Sequence, residues 1–386
     1  MALTNIREAL GLRHWALNVL TSTARQPPTC SQASWQLFLG GERCAIPLKT
    51  ELLAQGHFEL LDPVGQRELS DAARRETQRV LSARAQLHLI DNLAVQGEWK
   101  IIVLKGAVVL QKDRSGLDLA DVDILATHSD APRLATALDR AGFSGIGFGS
   151  DQHLKGRIAE GELTIEIHTV VDASDPSWSQ TVWDRLVPLQ GTSGLRRLSA
   201  RDHLWHLLTH VVVHHPHRQG AIRDLLLIRD AVADCSQDEL VDLTKDIASH
   251  PYTTTLEDVL ESARELGGTV PFVDRFISQS ATVYYLGWQG NRLPLPWVIR
   301  AEASMWACML LLGRAAFRRF WDWVLMEDVD QSLFPLIAWL EQRTSRFGRA
   351  ARVASRLIRG GIAAMLAVPL ALVASVVVRR VTKSNY

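Results

Sequence analysis

The stretch of sequence that decides the fold is residues 104–125, LKGAVVLQKDRSGLDLADVDIL. It opens on a glycine turn at Gly106 and closes on two carboxylates, Asp121 and Asp123, in an apolar strand. Residues i and i+2 of a strand point to the same face of a sheet, so these carboxylates would lie side by side. Their repulsion costs free energy unless a cation lies between them. The stretch therefore predicts a divalent-metal site on a β-sheet.

A second strand with an acidic residue is predicted at residues 163–168, LTIEIH. Apolar and polar residues alternate there, which is typical of a half-buried strand. Ile165 and Ile167 would face a core, and Glu166 and His168 would share the opposite face.

Together, these segments resemble the bacterial uncharacterised nucleotidyltransferase family, also called the nucleotidyltransferase 5 family. It belongs to the DNA-polymerase-β-like superfamily. The resemblance rests on the turn Gly106-Ala107, the thirteen residues between that turn and Asp121, and the DVDIL and EIH strands. It covers residues 83–230. The resemblance implies an α+β fold, with a polymerase-β-like core of mixed sheet and flanking helices, and a mostly helical C-terminal region.

The resemblance also implies a reaction. Asp121, Asp123 and Glu166 would be the catalytic residues and the ligands of Mg²⁺ or Mn²⁺, metals that an all-oxygen ligand set suits better than Zn²⁺. Such a centre holds a nucleoside triphosphate (NTP) and polarises its α-phosphorus. A nucleoside monophosphate would then pass to a hydroxyl group of an acceptor that the sequence does not identify.

The glycine turn is the predicted phosphate-binding element. Gly106 and Ala107 would let the backbone approach a phosphate closely. Lys105 would either contact phosphate or lie in solvent at the end of a strand. Two positions depart from the family: Ala107 stands where the superfamily commonly has serine, and Leu117 where the family often has arginine. They leave an alternative, a non-catalytic nucleotide-binding or membrane-associated interaction protein with a degenerate nucleotidyltransferase fold.

A dense histidine cluster follows the core. Ser199 has the position of a helix N-cap, and the histidines after it would form a stripe beside the helix's apolar face. Zinc binding is one interpretation, because histidines at i and i+4 can share a metal. The cluster comprises His203, His206, His210, His214, His215 and His217.

The family resemblance assigns two of these histidines differently. His210, His214 and Asp224 match a family pattern, which implies a helix packed against the cleft. His210 or His214 would then lie near the acceptor or bind the phosphates of the nucleotide. The other interpretation is that both are buried and hydrogen-bonded. Arg223 and Arg229 would either supply positive charge for a triphosphate or lie in solvent.

Composition limits the partners and the compartment. The chain has 386 residues, a net charge of zero and a pI of about 7.2. This balance gives no strong signal for nucleic-acid binding. The cysteines are scattered, which favours a reducing compartment. The N-terminus has no apolar signal-peptide core, so a cytoplasmic location is expected.

Helix breakers and caps predict how the chain is organised. Short helices are expected before residue 62, with breaks at residues 26–28 and at Gly40-Gly41. Asp62-Pro63 would begin a long charged helix that ends at Gly97. Residues 142–150, GFSGIGFGS, are interpreted as a loop between strands. The predicted parts are a helical N-terminal segment (1–62), the nucleotidyltransferase core (63–198), a helical domain (199–350) and an apolar C-terminal segment (358–380).

The C-terminal segment is the predicted membrane contact. Residues 360–378 contain no charged side chain, and as a helix they would span about 28 Å. Upstream, residues 306–323 mix tryptophan, phenylalanine and arginine, which suits a membrane surface. These stretches predict an anchor on the inner face of the cytoplasmic membrane. The alternative is a buried terminal helix after an ordinary amphipathic one.

Overall fold

The protein combines a mixed β-sheet with many helices. The computed structural model describes residues 2–21, 26–111, 117–146, 153–171, 176–214, 220–250 and 253–266, together with Met365. Within this part of the chain the sheet has seven strands, some parallel and some antiparallel. The predicted α+β class is confirmed at this level.

Two neighbouring strands at the middle of the sheet position the predicted carboxylates. In chain order the strands are β1 (Ile101–Val103), β2 (Asp121–Ala126), β3 (Ser144–Ile146), β4 (His153–Ile158), β5 (Thr164–His168), β6 (Val187–Pro188) and β7 (Leu195–Arg197). Across the sheet their order is β3-β4-β5-β2-β1-β7-β6. β2 runs parallel to β5 and antiparallel to β1, while β1 runs parallel to β7. The strand with Asp121 and Asp123 therefore lies directly beside the strand with Glu166.

Among the described residues, four α-helices precede the sheet: α1 (Ala2–Leu20), α2 (Gln32–Glu42), α3 (Ala45–Ala54) and α4 (Pro63–Gly97). α4 begins and ends as predicted, and the side chain of Asp62 accepts a hydrogen bond from the Gly65 backbone N–H. The predicted break at Gly40-Gly41 is wrong, because both glycines lie inside α2. Buried neighbours such as Trp35 and Phe38 anchor that helix, and this packing outweighs the low helix propensity of glycine. The chain leaves α2 at Arg43, whose φ is 51°.

The helix between β2 and β3, α5 (Ala131–Arg140), is followed by Gly142 with φ of +95°. The expectation of a loop over residues 142–150 is wrong at Ser144–Ile146. These residues form the edge strand β3 and pair antiparallel with β4. Backbone pairing with β4 overrides their low strand propensity, which depends strongly on context. Residues 147–150 lie outside the described part of the chain.

After the sheet the described chain is helical as far as residue 266. The side chain of Ser199 caps the first of the longer helices, as predicted, by accepting a hydrogen bond from the Asp202 N–H. These helices are α7 (Ala200–Thr209), α8 (Ile222–Asp234), α9 (Gln237–Ser249) and α10 (Thr253–Glu265), with a π-helical turn, His210–His214, after α7. The short helix α6 (Pro176–Thr181) lies between β5 and β6. The remainder of the predicted helical region lies outside the described residues.

The N-terminal helices and the helices after the sheet pack in one apolar cluster. A buried ion pair joins Arg13 of α1 to Glu42 of α2. Arg13 also donates a hydrogen bond to the Gly220 carbonyl at 2.6 Å, and Glu42 accepts one from the Ile222 N–H at 2.8 Å. These contacts therefore connect α1 and α2 to the start of α8.

None of the described helices combines the length and the apolar character that a membrane-spanning helix requires. The two stretches on which the predicted membrane contact depends are residues 306–323 and 360–378. Apart from Met365, both lie outside the described residues.

Candidate active site

The parallel pairing of β2 with β5 aligns the predicted acidic residues. Asp123 lies opposite Glu166, and Asp121 lies opposite Thr164. Ile165 and Ile167 are fully buried, whereas Glu166 and His168 are only partly so. The predicted faces of β5 are therefore confirmed, and the cleft receives carboxylates from two adjacent strands.

The tightest group of potential metal ligands consists of Asp123, Glu166 and His168. The His168 Nε2 atom lies 2.9 Å from Asp123 Oδ1 and 3.7 Å from Glu166 Oε2. One ligand atom from each of the three side chains lies within 4.8 Å of the others. His168 was not among the predicted ligands, although its position two residues after Glu166 on the same strand face was a usable signal. Asp121 lies outside this group of three but lines the same cleft.

Lys105 follows β1 and points at the carboxylates. Because β1 and β2 are antiparallel, the end of β1 lies beside the start of β2, and the Leu104 N–H donates to the Asp123 carbonyl at 3.0 Å. The Lys105 ammonium lies 2.7 Å from Asp123 Oδ1. A ring nitrogen of His203 donates to the Lys105 carbonyl at 3.3 Å. The interpretation of Lys105 as a solvent-exposed lysine is therefore wrong.

The three carboxyl groups of the cleft differ in the direction of their pKa shifts. Burial raises the pKa of Glu166 to about 8, and the charges of Asp123 and Asp121 act in the same direction. Burial and the charge of Asp123 likewise raise the pKa of Asp121. Burial also disfavours ionised Asp123, but Lys105 and His168 outweigh it and hold the Asp123 pKa below its ordinary value. An additional cation would favour the ionised form of all three carboxyl groups.

Helices on one side complete the cleft, which has a volume of about 220 Å³. It brings together most of the predicted site residues: Lys105, Gly106, Asp121, Asp123, Glu166 and His210. His210 is the first residue of the π-helical turn after α7. His214 is the last residue of that turn, and its side chain lies outside the described ones.

The glycine turn is a short 3₁₀ helix, Lys105–Gln111, in which the two predicted phosphate-binding residues differ. Ala107 is 1% exposed and packs in the core of the sheet rather than facing the cleft. Gly106 lines the cleft, but a Cβ atom there would lie 2.5 Å from Leu119 Cδ2. Packing against Leu119 is therefore sufficient reason for a glycine at this position.

The histidine stripe contributes mainly to packing. His203 and His206 are buried, and the ring of His206 stacks on Trp178 at a centroid distance of 6.4 Å. The rings of His206 and His210 are 5.9 Å apart. Among the described side chains, these histidines do not form a three-ligand group of the kind found at Asp123. The zinc interpretation finds no support in this part of the chain.

Two arginines line the cleft from helices. Arg43, at the end of α2, binds the buried Asp118 through its Nε atom at 2.6 Å. Arg223, at the start of α8, binds the adjacent Asp224, whereas Arg229 pairs with Asp230 and not with a cleft residue. Leu117, where the family often has arginine, is buried in the apolar core. Arg43 is far from the cleft in sequence, so no local pattern could have indicated it.

A comparison with protein families finds a match over the middle of the chain. A family model described as uncharacterised nucleotidyltransferase matches residues 46–268, which is more than half of the 386-residue chain. No curated protein and no solved structure matches this sequence. The matched segment contains the glycine turn, both acidic strands and helices α7 to α10. The chain therefore belongs to the uncharacterised nucleotidyltransferase family.

Proposed function

We propose that the protein is a metal-dependent nucleotidyltransferase with a polymerase-β-like core, which transfers a nucleoside monophosphate from an NTP to a hydroxyl group. The observation that carries this proposal is that Asp121, Asp123 and Glu166 line one cleft. Three carboxyl groups held together in a buried site are costly unless a cation binds them. Family membership supports the general class of reaction.

The residues of the cleft fit a divalent cation. Asp121, Asp123 and Glu166 would hold Mg²⁺ or Mn²⁺, and the imidazole of His168 would add a nitrogen ligand. The Lys105 ammonium, 2.7 Å from Asp123 Oδ1, marks a position where positive charge is favourable. When bound, the metal would supply charge stabilisation at the α-phosphate.

The other residues of the cleft have distinct roles in the proposal. Lys105, Arg223 and His210 bind the triphosphate, with Lys105 leaving Asp123 to do so. The hydroxyl oxygen of the acceptor attacks the α-phosphorus, and the bond to the bridging oxygen of the β-phosphate breaks, so that pyrophosphate leaves. Glu166 accepts the proton of the hydroxyl group. A bound cation would favour the ionised form of Glu166, which is the form that can accept a proton.

The structure weakens the arguments for the alternative, a non-catalytic or membrane-associated protein with a degenerate fold. Ala107 packs in the core, so a missing hydroxyl there removes no group from the cleft. Arg43 lines the cleft and can provide the charge that Leu117 lacks.

The test of the proposal is the Asp123→Asn variant. We expect it to lose transfer by more than about 100-fold, as when a group that stabilises a transition state is removed. Full-length protein is incubated with each labelled NTP, Mg²⁺ or Mn²⁺ and cell extract, and the labelled product is identified. Asp242→Asn, the same change on the exposed surface of α9, is the control. Labelling that survives in the Asp121→Asn/Asp123→Asn double variant would exclude this cleft.

The cellular location is also a proposal. We place the enzyme in the cytoplasm, with residues 360–378 anchoring it to the inner face of the membrane. Fractionation of the full-length protein and of a form ending at Gly348 tests the anchor. Full-length protein that stays in the supernatant without detergent would contradict it.

A further inference from the structure

A second and larger cavity adjoins the carboxylate cleft. It has a volume of about 520 Å³ and lies between α2 and α4. Arg43 and Ala120 line both the cavity and the cleft. The chain passes from Asp118 in the cavity to Asp121 in the cleft within three residues. A molecule in the cavity would therefore lie next to the proposed reaction centre.

The acidic residues of this cavity are engaged by donors of the protein itself. Asp118, Glu68 and Glu76 are all buried, and each accepts at least two hydrogen bonds of 2.6 to 3.1 Å. The donors are Arg43 and Arg79 for Asp118, Gln32 and Gln36 for Glu68, and the backbone N–H groups of Ala45 and Ile46 for Glu76. These carboxyl groups are thus occupied in holding α2, α3 and α4 together.

The arginines of the cavity retain donors. Arg79 donates a hydrogen bond from its Nε atom to Asp118 at 2.6 Å, and the Arg79 side chain remains 37% exposed. Arg75 is exposed and makes no hydrogen bond or ion pair with any described residue. A guanidinium group has five N–H donors in a planar fork, and its best partners are carboxylate and phosphate groups. The cavity therefore offers guanidinium donors from Arg75 and from Arg79, and Asp118 positions the second of these.

We propose that this cavity binds an anionic group of the acceptor, a phosphate or a carboxylate, and so places the acceptor's hydroxyl group beside the carboxylate cleft. The inference rests on the proposed nucleotidyltransferase function and narrows its acceptor to an anionic hydroxyl compound. The proposed partners of the triphosphate, Lys105 and Arg223, line the carboxylate cleft and not this cavity. Arg75 and Arg79 are thus left for the second substrate.

The experiment is a calorimetric titration of the full-length protein without metal or NTP. The probes are glycerol 3-phosphate, glycerate and glycerol, which differ in the anionic group. We expect at least one of the two anions to bind and glycerol not to bind. Arg75→Gln should weaken the binding at least about tenfold, since a bidentate charged contact is lost. Arg74→Gln is the matched control, because Arg74 is the neighbouring exposed arginine of α4 and pairs with Asp71 instead.

Three results would overturn the inference. The first is that neither anion binds. The second is that Arg75→Gln binds the anion as well as the unaltered protein does. The third, from a separate competition titration, is that a non-hydrolysable NTP analogue displaces the anion. The last result would assign the cavity to the nucleotide. The two proposals fail separately, because binding is measured without metal or NTP. If the protein binds an anion through Arg75 but transfers no nucleotide, only the proposed enzymatic function is wrong. If it transfers a nucleotide but binds neither anion, only the proposed anion site in the cavity is wrong.

Discussion

Lys105 shows how a single residue balances the charges of the cleft. Asp123 is 3% exposed, and a carboxylate so deeply buried needs a charged partner close by. The Lys105 backbone has φ of 50°, a conformation that costs a non-glycine residue about 1–2 kcal/mol. His203 holds the carbonyl of that residue. The surrounding structure thus maintains a strained backbone that directs the ammonium group at Asp123.

His168 gives a spectroscopic prediction about the proposed metal centre. Mn²⁺ bound to the protein should show ¹⁴N coupling in electron spin-echo envelope modulation, because the imidazole nitrogen lies within reach of the same ion as Asp123 and Glu166. His168→Gln should remove that coupling and lower the preference for Mn²⁺ over Mg²⁺. His210→Gln should retain the coupling, since His210 lines the cleft outside the ligand group. Coupling that persists in His168→Gln would assign the nitrogen to another residue.

Glu166 gives a prediction about pH. Its pKa is raised to about 8, so at pH 7 the metal-free protein holds a proton there that metal binding must release. The affinity for Mn²⁺ should therefore rise from pH 6 to pH 8, by up to about tenfold per pH unit, and then level off. Calorimetric titrations across this range measure the slope. Glu166→Gln should bind more weakly and with a smaller slope, and an equal slope in both proteins would show that another group carries the proton.

At the level of elements, the 3₁₀ turn after β1 depends on how closely it packs against the segment before β2. Gly106→Ala should lower the free energy of unfolding by about 1–3 kcal/mol, because the new Cβ would overlap Leu119. Chemical denaturation measures the change. Gly11→Ala in α1 is the control, since no described atom outside the adjacent residues and the backbone of the same helix lies within 4 Å of its added Cβ. That control should be neutral or stabilising.

A double-variant cycle separates this overlap from other causes. In a Leu119→Ala background the added methyl group no longer meets the leucine side chain. Gly106→Ala should then cost much less than it does alone. If Gly106→Ala lowers the free energy of unfolding as much in the Leu119→Ala background as it does alone, the backbone conformation and not the contact with Leu119 requires the glycine.

Sequence could predict those elements whose signal is local. β2, β5 and the limits of α4 follow from alternation, an acidic pair and a proline after an N-cap. The edge strand β3 and the intact α2 could not be predicted, because pairing with β4 and burial of Trp35 override local propensity. The contribution of Arg43 to the cleft depends on tertiary packing in the same way.

For the whole molecule, the buried pair Arg13–Glu42 joins distant parts of the chain. Glu42→Gln would leave the Arg13 charge buried without its counter-charge, which typically costs about 3–5 kcal/mol. We expect a loss of this size in urea denaturation, within one transition that includes the sheet. Asp71→Asn, which breaks an exposed pair in α4, should cost less than about 1 kcal/mol. Equal effects of the two changes would mean that the buried pair does not couple the N-terminal helices to α8.

The parallel ladder between β2 and β5 determines how this site can change during evolution. Side chains of a strand alternate between faces, so a one-residue slip of β5 would turn both Glu166 and His168 into the core. The same slip would expose Ile165 and Ile167 to the cleft. The turn before β5, at Gly161 with φ of +76°, can change in length without altering this parity as long as the ladder holds its register. A slip of register would therefore remove Glu166 and His168 from the cleft together, whereas a substitution removes only one of them.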